Sequence, residues 1–101
     1  MPRNPSLKNI RSTPPARSFQ PSGAGAATGR SDVNLQLEEW EALRLVDYAG
    51  LGQVQAAASM GISRQSVQML VSSARTKIAR AVVEGLPLFI VGNQEPINNI
   101  S

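Results

Sequence analysis

The stretch QAAASMGISRQSVQMLVSSARTKIARAV, residues 55–82, decides the fold of this chain. It holds Gly61 between two segments whose apolar residues recur every three or four positions, as on the buried face of a helix. Glycine accepts the positive φ that ends many helices, and Ser63 has the side chain of a good N-cap. We therefore predict a short helix over residues 53–60 and, after the turn, a long helix that ends near Glu84.

Three positions in this stretch have the spacing of a helix-turn-helix. In that motif a small residue lets the helices cross closely, a glycine about four positions later forms the turn, and an apolar residue about six positions further packs the second helix onto the first. Ala57, Gly61 and Val67 meet these requirements. Four further apolar residues support the same register: Val54, Met60, Ile62 and Leu70. An ordinary helical hairpin would use the same packing positions, so the spacing alone leaves both alternatives open.

The two sides of the predicted long helix differ in chemistry. Its apolar stripe is Val67, Leu70, Val71, Ala74, Ile78, Ala81 and Val82. Arginine and glutamine on the other side can form paired hydrogen bonds with guanine and adenine edges, so we predict DNA contacts there. The predicted base contacts are Arg64, Gln65, Gln68 and Ser72, and the predicted phosphate contacts are Ser63, Arg75, Lys77 and Arg80. Arg75, Lys77 and Arg80 could alternatively form a face that only water contacts. We expect Met69 to pack in the interior or to form an interface.

The charge distribution favours a polyanionic partner. The chain has a net charge of +3 and a pI of about 10.2. Its basic residues concentrate in residues 1–33 and 61–83, and the segment between them carries most of the acids. Two basic blocks of this kind are typical of proteins that bind nucleic acid. We expect the acids Glu38, Glu39 and Glu41 to form a solvated helix surface.

The composition argues against an enzyme or a metal protein. The chain has no cysteine and no histidine, which removes disulfides, the usual zinc ligands and the commonest general base. We therefore predict no catalytic residue, no metal and no cofactor. The longest apolar run, residues 86–91, is too short to span a bilayer, and the first residues lack the apolar core of a signal peptide. These features predict a cytoplasmic, prokaryotic protein without a membrane contact.

Four segments follow from the composition along the chain. Residues 1–33 form a basic arm rich in Pro, Gly and Ala, which we expect to be disordered or extended. Residues 34–85 form the helix-turn-helix domain, residues 86–92 a short strand, and residues 93–101 a loose tail. The strand needs a mate, either from the arm near Ile10 or from a second copy of the chain, so it is a candidate for an arm contact or a dimer contact.

The first helix of the domain is predicted to begin near Leu37 and to end at Gly50. Its apolar spacing predicts that three residues face the core: Trp40, Leu43 and Val46. We expect Trp40 and Tyr48 at the core or its edge, and we expect Phe19 to pin the arm to the domain. The predicted fold class is mainly α: a three-helix helix-turn-helix domain with an N-terminal arm and one short C-terminal β-strand.

Several short motifs along the chain carry a family resemblance. They are Met1-Pro2-Arg3, Phe19-x-Pro21-x-Gly23, EALRLVDYAGL over residues 41–51, the turn from Ala57 to Val67, Ser73-Ala74-Arg75-x-Lys77-Ile78-Ala79, Ala81-x-Val83-x-Gly85, Leu88-x-Ile90 and Gly92. In these motifs the chain resembles the small prokaryotic proteins grouped as UPF0251, which are described as predicted DNA-binding proteins. Their helix-turn-helix is similar to region 4 of sigma-70-type RNA polymerase sigma factors. The resemblance implies that the helix beginning at Arg64 is the recognition helix. Many members of that family have a cysteine in the arm, and this chain has none.

The function that the sequence favours is sequence-specific DNA binding, with transcription regulation as its purpose and the helix starting at Arg64 in the major groove. Its partner is then double-stranded DNA, and a homodimer and a contact with RNA polymerase are further expectations. The alternative is a protein-interaction module that docks on RNA polymerase or another regulator without reading bases. In that alternative the acidic first helix is the contact surface.

Overall fold

The computed structural model describes residue 10, residues 12–23 and residues 31–92 of the chain. Within these residues the elements are β1 (Ser18–Phe19), β2 (Val33–Gln36), α1 (Leu37–Leu43), a π-helix (Arg44–Tyr48), α2 (Gln53–Met60), α3 (Arg64–Glu84) and β3 (Leu88–Val91). The prediction of a mainly α fold with three helices and a short C-terminal strand is confirmed. The predicted loose tail and much of the predicted arm lie outside the described residues.

The boundaries of α2 and α3 follow from local signals. Gly61 ends α2 with a φ of 70°, in the left-handed region where a side chain would be strained. Ser63 caps α3, because its Oγ accepts a hydrogen bond of 3.0 Å from the amide of Ser66. α3 ends before Gly85, which has a φ of 67°. All of these boundaries agree with the sequence prediction.

The first helix widens after Leu43 into the π-helix. The amide of Ala49 donates to the carbonyl of Arg44 at 2.8 Å, which is the five-residue spacing of a π-turn. The wider turn changes which side chains face inward. Leu45 is buried, whereas Tyr48 is 87% exposed, so the prediction of Tyr48 at the core or its edge is wrong.

The first helical segment does turn its predicted residues toward the core. Trp40, Leu43 and Val46 pack against the two core clusters and are half-buried at their edge. The apolar residues of the segment that enter the core are Leu37, Ala42 and Leu45. α1 does begin at Leu37, as predicted.

The short sheet takes both of its outer strands from the same chain. β3 is central, pairs in parallel with β2, and pairs antiparallel with β1. The prediction that the arm could supply a mate for this strand is confirmed by β1, although the pairing lies at Ser18–Phe19 rather than near Ile10. β2 was not predicted, although its residues alternate between buried and exposed, because four residues next to a helix give a weak signal. The predicted boundary between residues 33 and 34 falls inside this strand.

The described part of the arm is held by backbone pairing in the sheet. In β1, Ser18 lies opposite Phe89 and Phe19 lies opposite Leu88. The amide of Ile90 donates to the carbonyl of Arg17 at 2.9 Å. Phe19 thus holds the arm to the domain through its backbone, whereas its side chain is 57% exposed.

Two hydrophobic clusters fill the interior, and α3 contributes to both. The first lies under the sheet and contains Val33, Leu35, Leu37, Ala74, Ala81, Leu86, Leu88 and Ile90. The second joins α1, the π-helix, α2 and α3 and contains Ala42, Leu45, Ala56, Ala57, Met60, Val67 and Val71. Because α3 is packed along most of its length, its orientation relative to the turn is fixed by burial at two separate places.

Two apolar residues that were predicted to be buried or supporting face solvent instead. Val54 is 67% exposed, because the buried residues of α2 all lie in its last five positions and form a different stripe. Val82 is 75% exposed. It follows Ala81, which faces the sheet cluster, and one step along a helix turns a side chain by about 100°.

Candidate nucleic-acid interface

The three packing positions of the predicted helix-turn-helix come together at the turn. Ala57 is 7% exposed, Val67 is fully buried, and both belong to the same hydrophobic cluster. The amides of Gly61 and Ile62 both donate to the carbonyl of Ala57, which closes the end of α2. The arrangement that follows is a short helix, a tight left-handed turn and a long helix that packs back across the first.

The outward face of the N-terminal half of α3 carries the predicted base contacts. Arg64, Gln65, Gln68 and Ser72 are all exposed. On the opposite side of the same turns Val67 and Val71 are at most 1% exposed. We call the four exposed residues the polar face of α3. A shallow groove of about 670 Å³ runs along it, lined by Gln65, Gln68, Met69, Ser72, Ser73, Thr76 and Lys77.

Met69 was expected either to pack in the interior or to form an interface, and within the described residues it does not pack in the interior. Its side chain is 66% exposed and lines the same groove as the polar face. It remains available for an interface, which was the other half of the expectation.

Ser63 uses its hydroxyl within the chain. Its Oγ accepts from the amide of Ser66 and donates to the Oγ of Ser66 at 2.9 Å. The amide of Ser66 is thereby occupied, so a phosphate contact at this end would depend on the first two amides of α3, which belong to Arg64 and Gln65 at the positive end of the helix dipole.

The three later cations of α3 all form ion pairs within the chain. Arg75 binds Asp47 through two hydrogen bonds, from Nε to Oδ2 at 2.9 Å and from Nη2 to Oδ1 at 2.7 Å. Lys77 Nζ lies 2.8 Å from Glu39 Oε1, and Arg80 Nε lies 3.7 Å from Glu84 Oε2. Among the described residues no carboxylate pairs with Arg64. These ion pairs compete with phosphate at the predicted positions Arg75, Lys77 and Arg80.

Glu39 forms the most buried of these contacts. It is 5% exposed and accepts hydrogen bonds from the backbone amide of Gln36 at 2.8 Å, from Ser73 Oγ and from Lys77 Nζ at 2.8 Å. Burial alone would raise the pKa of Glu39, but the hydrogen bonds from Lys77, Ser73 and Gln36 outweigh it and hold this pKa below its ordinary value. We call these four residues the Glu39 cluster, which ties the start of α1 to the middle of α3.

The predicted solvated surface of acids on the first helix is therefore wrong at two of its three positions. Glu41 is fully buried, and its carboxylate binds Arg44 through Nε at 3.0 Å and Nη2 at 2.9 Å. The hydrogen bond to Glu41 raises the pKa of Arg44, whose guanidinium also lies 5.9 Å from the ring centroid of Trp40. Both acids are buried because each has a cation within reach, and Glu39 also accepts from Ser73 and from the Gln36 amide.

The sequence contained a signal for only one of these buried acids. Glu41 and Arg44 are three positions apart, a spacing that brings opposite charges together on a helix. Glu39 and Lys77 are 38 positions apart, and their pairing depends on how α1 packs against α3.

Neither a side-chain cluster suited to a metal ion nor a membrane-spanning helix occurs among the described residues. No group of three or more His, Cys, Asp or Glu side chains there is arranged to hold a metal ion. Among the helices in this part of the chain, none has both the length and the apolar character needed to cross a bilayer.

Comparison with known proteins identifies the family. Residues 1–97 match the family model described as "Protein of unknown function DUF134". The chain is 48% identical over 93 residues to a UPF0251 protein of Syntrophobacter fumaroxidans, and the match covers 91% of this chain and 58% of that longer protein. It is 44% identical over 88 residues to a UPF0251 protein of Shewanella oneidensis, with 87% of this chain and 89% of that protein covered.

An archaeal relative is similar over nearly the same length. The chain is 42% identical over 90 residues to a UPF0251 protein of Pyrococcus horikoshii, with 87% of this chain and 82% of that protein covered. No solved structure matches the chain significantly. The chain belongs to the UPF0251 family, which the DUF134 family model describes.

Proposed function

We propose that this protein binds double-stranded DNA in a sequence-specific manner and regulates transcription, with the N-terminal half of α3 in the major groove. The observation that carries the proposal is the polar face of α3. Its arginine, two glutamines and serine are exposed together on a helix whose opposite side is buried. α3 carries no acid before Glu84, so nothing on the helix itself repels phosphate near this face.

The side chains of the polar face suit base reading. Arginine can donate two hydrogen bonds to guanine, and glutamine can pair with the N6 and N7 positions of adenine. Arg64 and Gln65 lie in the first turn of α3, the part of a recognition helix that enters most deeply. Packing in two clusters supports the proposal because a helix held in one orientation presents these groups in one register.

Phosphate contacts would come from groups at the rim of this face. The side chains of Arg75 and Arg80 are 58% and 49% exposed, so phosphate can reach them. Lys77 is held in the Glu39 cluster, and we assign it to positioning α3 rather than to phosphate binding. The basic residues of the arm add positive charge that would attract DNA from solution.

A DNA-binding regulator of this kind acts in the cytoplasm of a prokaryotic cell. A homodimer would present two copies of α3 and read two half-sites about one helical turn of DNA apart.

A selection from a random-sequence duplex library tests the proposed function. We expect the full chain to enrich one motif and its affinity to fall steeply with salt, with a slope of about −0.9 per phosphate neutralised. Enrichment of a motif with this salt dependence would support the proposal. Binding without any enriched motif would overturn base reading, and no binding at all would overturn DNA binding.

Met69 favours one second candidate function. Met69 is exposed and lines the groove, and methionine is enriched at protein interfaces. The same face would then dock on RNA polymerase or another regulator without reading bases. Failure of the duplex selection together with saturable binding to purified RNA polymerase would favour this candidate.

A further inference from the structure

The ion pair between Asp47 and Arg75 lies at the edge of the proposed DNA-binding face. Arg75 follows Ser72 by one turn of α3, and Asp47 belongs to the π-helix. The carboxylate takes both Nε and Nη2 of the guanidinium, which is the edge that binds a phosphate in the bidentate mode. A phosphate that approaches Arg75 must therefore compete with Asp47 for the same donors.

The exposure of the pair makes this exchange easy. The side chains of Arg75 and Asp47 are 58% and 35% exposed, and exposed ion pairs contribute little net stability because water solvates both partners. The pair of Lys77 with Glu39 is different, since the Glu39 side chain is 7% exposed and losing its cation would leave a charge in the interior. Of the two pairs that join α3 to the preceding helices, only the first can open at low cost.

We propose that Asp47 limits the DNA affinity of this protein: it holds Arg75 in the free chain, and Arg75 exchanges Asp47 for a backbone phosphate when α3 enters the groove. This inference rests on the proposed function. After the exchange the Asp47 carboxylate stays close to the phosphate as an uncompensated negative charge. Both the competition in the free protein and the repulsion in the complex weaken binding, and both act on the phosphate backbone regardless of sequence.

The test compares full-length variants on two duplexes, the selected site and an unrelated sequence of equal length. We expect Asp47→Asn to bind both duplexes about two- to fivefold more tightly than the wild type at low salt, which is the range expected for releasing an exposed ion pair. We expect Arg75→Gln to bind both more weakly. In the Arg75→Gln background the gain from Asp47→Asn should shrink, because the guanidinium that it releases is absent.

Glu38→Gln is the matched control, because Glu38 is an acid of the same helical segment for which no pairing with α3 is found among the described residues. It removes the same charge as Asp47→Asn and should change affinity less. Asp47→Glu keeps the charge and should bind like the wild type. The inference is overturned if the wild type binds DNA but Asp47→Asn binds no more tightly than Glu38→Gln, or if its gain persists undiminished in the Arg75→Gln background. Absence of DNA binding by the wild type would instead contradict the proposed function itself.

Discussion

Two ion pairs join α3 to the helices that precede it, and they differ in burial. In the Glu39 cluster a nearly buried carboxylate accepts three hydrogen bonds, from two positions of α3 and from the amide at the start of α1. In the other pair, Asp47 and Arg75 meet at the surface. Both contacts pair a carboxylate with a cation of α3, but Glu39 also accepts from a hydroxyl and a backbone amide, whereas Asp47 binds one guanidinium through two hydrogen bonds.

The difference in burial indicates that the Glu39 cluster stabilises the fold, whereas the pair of Asp47 and Arg75 can open when a ligand binds. A buried carboxylate depends on all of its partners, because water cannot replace them. An exposed pair loses little when it opens, because water or phosphate can replace either partner. We therefore assign the Glu39 cluster to the stability of the α1–α3 contact, and the surface pair to control of DNA affinity.

The largest expected effect is on the Glu39 cluster. Glu39→Gln should lower the free energy of unfolding by about 2–3 kcal/mol, because the amide cannot compensate Lys77 or accept all three hydrogen bonds. Urea denaturation measures the change. Glu38→Gln is the control and should cost less than about 0.5 kcal/mol, as expected for a surface substitution. Equal stability of Glu39→Gln and the wild type would contradict the assignment of the Glu39 cluster to stability.

A smaller effect is expected from pH. The pKa of Glu39 is lowered from an ordinary value of 4.5, chiefly because hydrogen bonds from Lys77 and Ser73 overcome the opposing effect of burial. The stability that this cluster adds is therefore complete above pH 4.5 and is lost as pH falls through the folded-state pKa. Urea midpoints of unfolding should be measured from pH 7 downward at intervals of roughly one pH unit. Below pH 4.5 the midpoint of the wild type should decrease, and that of Glu39→Gln should decrease less. A midpoint that fell equally in both proteins would assign the pH dependence to other acids.

The smallest effect on stability is expected at the surface pair. The hydrogen bond from Arg75 lowers the pKa of Asp47, but both partners are solvated. Asp47→Asn should therefore leave the urea midpoint at pH 7 close to that of the wild type. If this variant lost as much stability as Glu39→Gln, the two pairs would be alike, and their assignment to stability and to binding would fail.

The sequence predicted well the ends of the helices, which depend on neighbouring residues. The ends of α2 and α3, the left-handed Gly61 and the Ser63 cap follow from residues within one turn of each other. The exposed polar face of α3 also follows, because one helical period determines both of its sides. These local signals covered most of the proposed site.

What the sequence did not predict depends on contacts between distant segments. β2 forms because β3, more than fifty positions later, supplies its hydrogen bonds. Glu39 is buried because Lys77 and Ser73 of α3 reach it. The widening of the first helix at Leu43 moved Tyr48 outward, and no Gly or Pro in that segment signalled it.

The most direct test of DNA reading by α3 is the affinity of Arg64→Ala and Gln65→Ala for the selected duplex. If these side chains contact bases, each variant should lose about 1–3 kcal/mol of binding free energy on the selected site and less on an unrelated duplex. Val83→Ala is the control, since Val83 is 82% exposed at the far end of the same helix and should bind like the wild type. Equal binding of Arg64→Ala, Gln65→Ala and the wild type to the selected duplex would contradict base reading by this face.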